Sequence, residues 1–240
     1  MKHGILIGAD KNAEELLPWW WKHYSRHCSL PVAIVDFGMS KKALAWCKMH
    51  MQLIPLKSSS SVTPKNLIAP EDLKLWKKHY RGPLWKAREA WFKKPKACLL
   101  SPFDITLWLD LDCEVCGPLD TLFNELQPDT DLAIALQDFS EDKPTVYNSG
   151  VLLFRKKSPF LKEWDKLAQT HNRSMMGDQN VLTSLLLKGK IRFKQLSPYY
   201  NWLMYRGAEP GIVIAHWAAG WGKEYIQKHG GLFDLLQRIC

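Results

Sequence analysis

Leu107-Trp108-Leu109-Asp110-Leu111-Asp112 carries an apolar run into two carboxylates one residue apart. Side chains alternate faces along a strand, so Asp110 and Asp112 share a face if the extended geometry persists that far. Two carboxylates at the carboxyl end of a strand form a seat for a hard divalent cation, which prefers oxygen ligands. Such a cation can hold a diphosphate and stabilise it as it leaves. A strand ending in an ordinary polar turn explains the same six residues, and one Asp-x-Asp arises often by chance. The surrounding chain decides between the two.

Upstream, Ile5 to Ala9 is a wholly apolar run that ends at Asp10, and Pro31 to Val35 is another that ends at Asp36. Uninterrupted apolar runs of this length suit strands buried on both faces. Between them, residues from about Asn12 to Arg26 have a helical pattern, with Glu14 and Glu15 in the first turn, Lys22 and Arg26 in the last, and Pro18 to start or kink it. Ser40 is placed to cap a helix through about Met49, and Gln52 to Leu56 reads as a third strand. Strands alternating with helices predict right-handed crossovers and a parallel sheet, whose ligand crevice lies at the strands' carboxyl ends. Asp10, Asp36 and the Asp110/Asp112 pair all belong at that rim.

Downstream of the third strand, a polar stretch over about 57–83 opens with the serine run 58–61 and contains Pro64 and Pro70. It reads as an irregular excursion within a single domain spanning 1–240. Leu84 to Leu100 is helical in pattern, with an interruption at Pro95; Thr106 to Asp110 is a strand; Pro118 to Leu126 is a short helix. Further strands are expected at Leu132 to Leu136, Val146 to Phe154, Ile191 to Leu196 and Ile212 to Ala215. Helices are expected from Ser158, as cap, to about Thr170 and from Asp178 to Leu187, whereas the tail from Gly220 has no clear period before the apolar Leu232 to Ile239 segment.

The 240 residues are 46% hydrophobic and 24% charged, which places the chain among ordinary soluble globular proteins rather than disordered ones. Twelve Trp must serve largely as core and wall, with some free to offer stacking faces to a base or a sugar. The net charge of +9 is concentrated: Lys57 to Lys96 holds eleven Lys or Arg against three acids, a net +8. A localised basic patch fits an anionic partner such as a nucleotide diphosphate, a nucleic acid or an anionic membrane surface, although most of these lysines are expected to line a solvated helix face. The six Cys include Cys113-x-x-Cys116, but a closed zinc site needs four ligands and no second pair lies near, so reduced thiols in a cytoplasmic protein are expected. The apolar part of the amino terminus is too short for a signal peptide, and no apolar stretch is long enough for a transmembrane helix, which leaves peripheral membrane contact open.

The whole chain, from Ile5 to about Lys223, resembles a GT-A-type glycosyltransferase, family 8-like, of the glycogenin and galactosyltransferase kind. The residues that carry the resemblance are Lys94-Pro95-Lys96, then Leu107 to Asp112, then Tyr147-Asn148-Ser149-Gly150-Val151-Leu152-Leu153-Phe154, then Gly177-Asp178-Gln179-Asn180, and finally His216 through Lys223. The resemblance implies an α/β Rossmann-like fold with a mostly parallel central sheet and flanking helices. It implies an enzyme that moves a sugar from a nucleoside-diphosphate donor, with UDP-sugars foremost, to a glycan, lipid or protein acceptor, with retention of configuration.

By the same resemblance, Asp110, Asp112 and His216 bind Mn²⁺, with Mg²⁺ as the alternative; two carboxylates and an imidazole suit Mn²⁺. Lys94, sixteen residues before Asp110, contacts the donor, and Gly220 and Lys223 serve the pyrophosphate. The family's His-x-x-Gly-x-x-Lys is one residue longer before its glycine here. Ala9, Asp10 and Asp36 are candidates around the base, although Lys11-Asn12-Ala13 follow Asp10 where an aromatic residue is common in the family. Asn148 and Ser149 are assigned to sugar hydroxyls and could equally form a turn before a buried strand. Asp178 and Gln179 are assigned near the anomeric centre, while Asp178 also suits the first turn of a helix. Two rivals remain at this level. One is a haloacid-dehalogenase-like phosphatase with Asp110 as nucleophile, although Glu114 stands where Thr or Val is usual. The other is nucleic-acid binding by the basic segment with Trp76, Trp85 and Trp91.

Overall fold

The structure, a computed structural model, describes residues 1–57, 62–80, 83–139, 142 and 144–232. The serine run 58–61, Arg81 and the segment from 233 to Cys240 lie outside the described residues. The described strands are β1 (His3–Ala9), β2 (Val32–Asp36), β3 (Gln52–Pro55), β4 (Ile105–Leu109), β5 (Cys113–Val115), β6 (Leu132–Leu136), β7 (Tyr147–Arg155), β8 (Phe193–Gln195), β9 (Trp202–Leu203) and β10 (Ile214–His216). The α-helices are α1 (Leu17–His27), α2 (Lys41–His50), α3 (Pro70–His79), α4 (Leu84–Trp91), α5 (Lys94–Leu99), α6 (Phe160–His171), α7 (Asp178–Leu187) and α8 (Ala219–His229).

Seven strands form one sheet in the order β3-β2-β1-β4-β7-β6-β8. β1 pairs in parallel with β2 and β4, β2 with β3, and β6 with β8, whereas β7 runs antiparallel to both neighbours. The sheet is therefore mostly parallel, and the alternation of apolar runs with helical patterns is what specifies it. Ile5, Ile7, Ile34, Leu107 and Leu109 pack on one face, and Leu6, Ala33, Val35 and Trp108 on the other. Both faces are buried, which is why these strands read as unbroken apolar runs. The chain starts at β1, builds outward to β3, and returns to the other side of β1 as β4. That reversal opens a crevice at the carboxyl ends of β1 and β4.

A small second sheet, β5-β10-β9, stands beside this edge. His216 on β10 lies opposite Cys113 on β5. Strands of two or three residues have too few positions for a period, so the sequence reading did not find β5 or β9.

Several boundaries differ from expectation for identifiable reasons. The helix expected from Asn12 is split into a 3₁₀ turn (Glu14–Leu16) and α1, because Pro18 lies in the first turn of α1, where its missing N–H costs nothing. The break in the 84–100 helix falls at Phe92 and Lys93, and Pro95 opens α5 rather than interrupting a helix. The segment 118–126 forms a 3₁₀ helix (Asp120–Glu125) instead of an α-helix. Ser40 does cap α2, accepting from the Ala43 amide at 3.2 Å. Ser158 does not cap α6; its hydroxyl donates to the Asp131 carbonyl at 3.0 Å, and Pro159 stands at the N-cap. The excursion contains a ten-residue helix, α3, opened by Pro70. The tail read as aperiodic forms α8.

Candidate functional site

The extended geometry of β4 stops at Leu109. The Cys113 amide donates to the Asp110 carbonyl at 3.0 Å, so Asp110 to Cys113 is a turn, and strand alternation does not place the two carboxylates. The turn sends Asp110 and Asp112 to different partners.

Asp112 meets His216, with the imidazole Nε2 3.4 Å from Oδ1. Asp112, Cys113 and His216 offer ligand atoms that all lie within 4.8 Å of one another, and all three residues are held in the β5/β10 corner. The tautomer of His216 follows from its neighbours. Asn201 donates through Nδ2 to the Asn148 Oδ1 at 3.0 Å and to the Asn148 carbonyl at 3.3 Å. Its own Oδ1 is therefore an acceptor, and the contact of 2.8 Å from His216 Nδ1 makes Nδ1 the donor. In the neutral ring, Nε2 then presents its lone pair toward a carboxylate oxygen. Two electron-rich atoms facing each other in a buried corner require a cation between them, a proton or a metal ion. Burial raises the Asp112 carboxyl, but His216 and then Lys223 outweigh it, and its pKa is lowered. With a metal ion in place of the proton between them, an imidazole oriented by a hydrogen bond at its other nitrogen, beside a carboxylate, is the donor set of a divalent metal site. Gly150 makes room for it: a Cβ there would lie 2.2 Å from His216 Cε1.

Asp110 turns instead to Lys94. The buried ammonium lies 2.9 Å from Asp110 Oδ1, 3.1 Å from the Ser149 hydroxyl and 3.6 Å from Asp178 Oδ2. Trp108 Nε1 donates to Asp110 Oδ1 at 2.7 Å. Ser149 donates to Asp178 Oδ2 at 2.7 Å. Burial works against the Lys94 cation, but Asp110 and Asp178 overcome it, and its pKa is raised. Burial raises the Asp178 carboxyl against the pull of Lys94, and Asp110 adds to the rise. Lys94, Ser149, Asp110 and Asp178 thus form one closed network, supplied by α5, β7, the end of β4 and the start of α7.

Asn148 and Gln179 sit beside it. Asn148 Oδ1 accepts from the Gly150 amide at 2.9 Å, and its Nδ2 donates to Gln179 Oε1 at 3.3 Å, while Gln179 donates to Gln137 at 2.6 Å. Asn148 lies within β7, not in a turn before it. Gly177, not Asp178, is the N-cap of α7, and its amide donates to Asn180 Oδ1 at 3.0 Å.

The rim residues are placed as the topology requires, but their carboxylates serve their own turns. Asp10 Oδ1 accepts from the Asn12 and Ala13 amides at 2.9 and 3.0 Å, and Asp36 Oδ1 accepts from Gly38 and Met39 at 2.8 Å each. Ala9 is buried at the end of β1, opposite Asp36. Along the His216 to Lys223 stretch, Ala219 rather than Gly220 holds the left-handed backbone, at φ 69°. This is the position that a His-x-x-Gly spacing assigns to glycine. Gly222 is required for another reason, since a Cβ would lie 1.9 Å from the Trp217 carbonyl oxygen. Lys223 is half-buried and close enough to lower the Asp112 pKa. Trp217 is wall: its Nε1 donates to the buried Glu114 at 2.9 Å, and Glu114 also accepts from the Leu232 amide at 2.6 Å.

Sequence reasoning missed Cys113, Asn201, Gln137 and the role of Gly150. Only Gly150, inside a strand, carried a visible sign, since glycine there marks a close approach.

No family model and no curated protein matches this chain. Solved structures do match in fold. The galactosyltransferase LgtC, solved with donor and acceptor sugar analogues, is 16% identical with a TM-score of 0.59, over 93% of this chain and 94% of LgtC. The glycosyltransferase GlyE of Streptococcus pneumoniae TIGR4 is 21% identical with a TM-score of 0.60, over 91% of this chain but only 55% of GlyE. Mouse xyloside xylosyltransferase 1 is 16% identical with a TM-score of 0.56, over 90% of this chain and 97% of that one. The chain therefore has the fold of GT-A-type glycosyltransferases.

Proposed function

We propose that this chain is a divalent-metal-dependent glycosyltransferase, using Mn²⁺ or Mg²⁺ and a nucleoside-diphosphate sugar, with UDP-sugars as the first donors to test. The observation that carries the proposal is the convergence of Asp112 and His216, 104 positions apart, at 3.4 Å beside the Lys94–Asp110–Asp178 network. The fold shared with proteins named as glycosyltransferases supports it.

In the reaction proposed, the bond from the anomeric carbon to the diphosphate oxygen breaks and the diphosphate keeps the electron pair. A bond to the acceptor oxygen forms and the acceptor hydroxyl's proton passes to the departing diphosphate. Asp112 and His216 would hold the metal, with Asp110 as third protein ligand once its carboxylate exchanges Lys94 for the ion. The bound ion would neutralise charge gathering on the departing diphosphate. Lys223 adds a second positive charge on the Asp112 side, and the backbone from Ala219 to Gly220 approaches the phosphates. Each well-placed group of this kind is worth roughly 2.7–4 kcal/mol in the transition state. Ala9, Asp10 and Asp36 are assigned to the nucleoside end of the crevice. Asn148, Ser149, Asp178 and Gln179 are assigned to the sugar. Retention of anomeric configuration belongs to the proposal and is read from the anomeric proton of the first product.

The rivals lose ground on the fold and on specific residues. The phosphatase reading is disfavoured by the fold, which the chain shares with proteins named as glycosyltransferases. Of the three indoles a nucleic acid would stack on, Trp76 is buried with the Arg88 guanidinium 4.4 Å from its ring, and Trp85 and Trp91 are only half-exposed. The five described cysteines are unpaired, and among the described residues no helix is long and apolar enough to cross a membrane. A cytoplasmic setting, with contact to an anionic membrane face through the basic segment, is part of the proposal.

The test is a screen of nucleotide sugars for Mn²⁺-dependent release of nucleoside diphosphate. Turnover with one donor, lost on chelation and in Asp112→Asn, is expected. Undiminished turnover in Asp112→Asn refutes the site.

A further inference from the structure

The basic segment folds over a cleft of about 270 Å³ that the donor chemistry does not use. Its lining includes Lys65, Lys77 and Lys86 and the aromatic walls Tyr80 and Trp85, from α3, α4 and the 3₁₀ turn before them. Among the described residues no acid lines it. The three lysines are exposed, and among the described residues none of them is in an ion pair, unlike Lys94, Lys96 and Lys194. Three like charges brought to one concave surface repel one another and focus a positive potential into it. Tyr80 and Trp85 are half-buried and offer apolar ring surface with a polar edge, which suits the face of a sugar ring.

The cleft adjoins the Asp178 side of the site through Trp91. The Tyr80 ring stands edge-on to Trp91 at 5.1 Å. Trp91 Cε3 lies 3.1 Å from where a Cβ on Gly177 would stand, and Gly177 leads directly into Asp178. A molecule resting on Tyr80 is therefore next to the corner where the sugar would leave its diphosphate.

We propose that this cleft is the acceptor site and takes a glycan that carries an anionic group, a phosphate or a carboxylate. The proposal rests on the glycosyltransferase reading and adds to it the acceptor class. The donor diphosphate is the competing occupant, but the cation corner and Lys223 already serve it.

Calorimetric titration of the full chain in Mn²⁺ with four probes tests this. Two are anionic, mannose 6-phosphate and a hyaluronan tetrasaccharide, and two are their neutral counterparts, mannose and cellotetraose. At least one anionic probe should bind tenfold or more tighter than its counterpart, and whichever does so identifies the group. Its affinity should fall as salt rises from 0.15 to 0.5 M and fall at least tenfold in the Lys77→Gln/Lys86→Gln variant. A control variant, Lys41→Gln/Lys42→Gln on α2, should bind as the wild type does. Equal affinity for charged and neutral probes, no binding by any probe, or unchanged binding in the cleft variant overturns the proposal. So does displacement of the bound probe by UDP alone, which would make the cleft part of the donor site. Donor hydrolysis by the wild type without acceptor is scored separately, so failure of the transferase reading is distinguishable from failure of this one.

Discussion

Replacing Lys94 by Met removes the cation that two carboxylates share in this corner of the site. The wild-type ammonium lies 2.9 Å from Asp110 and 3.6 Å from Asp178, whose side chains are 25% and 4% exposed. Water can still reach Asp110 and screen its loss, so most of the damage falls on Asp178. Leaving a buried ion without its partner costs about 3–5 kcal/mol. In a chain of this size that lowers Tm by roughly 6–20 °C. The pH dependence has a definite sign. Asp178 is already raised above its ordinary value with Lys94 present, and it rises further without it. A carboxyl raised in the folded state keeps a proton that the unfolded chain has released, so folded stability increases as pH falls toward the ordinary carboxylate range. The deficit of Lys94→Met should therefore be larger at pH 7.5 than at pH 5. Urea unfolding at the two pH values measures it. Adding Asp178→Asn to Lys94→Met should recover part of the loss, a coupling that the double-mutant cycle isolates. A deficit below about 1 kcal/mol, or one that grows as pH falls, refutes the reasoning.

Ala219→Gly should stabilise the fold, because the left-handed backbone at φ 69° costs an alanine about 1–2 kcal/mol, of which glycine's greater unfolded freedom takes back roughly 0.5–1; a lower urea midpoint than wild type contradicts this. Gly150→Ala places a methyl where the His216 ring stands, so Mn²⁺ affinity by calorimetry should drop about 10–100-fold, with some loss of stability; wild-type affinity means the imidazole is not a ligand. Iodoacetamide at pH 8 should label Cys28 ahead of the other described cysteines in the native protein, since burial pushes Cys47 up to about 11 and Cys116 up to about 12; rapid labelling of Cys116, followed by peptide mass spectrometry, counts against its raised thiol.

The central sheet was legible because its strands are buried on both faces. Ile5 to Ala9, the run ending at Asp36, and Leu107 to Leu109 have no polar residue to interrupt them, and the helical patterns between them fix parallel crossovers. Of the second sheet only β10 was legible, as the apolar run from Ile212, because β5 and β9 are two or three residues long and pair across gaps of many residues. Helix α8 was missed since its packed face is built on Gly222, which sits against a backbone carbonyl and gives no apolar period. Within the site, the sequence brought forward residue types whose chemistry is unusual in pairs, such as Asp110 with Asp112. It could not tell which carboxylates face a ligand and which close their own turns, as Asp10 and Asp36 do. Nor could it show that β4 ends one residue before Asp110, so that Lys94 meets one aspartate and His216 the other. Asn201 fixes the His216 tautomer from a loop with no motif around it, and only the folded chain reveals it.

The cation corner is tested most directly by electron paramagnetic resonance of Mn²⁺ titrated with protein and UDP. The wild type should remove the free-ion signal, and Asp112→Asn and His216→Ala, each checked for folding by circular dichroism, should leave it largely intact. If both variants bind Mn²⁺ and UDP as well as the wild type does, the ion is not held by these two residues and the account fails at its base.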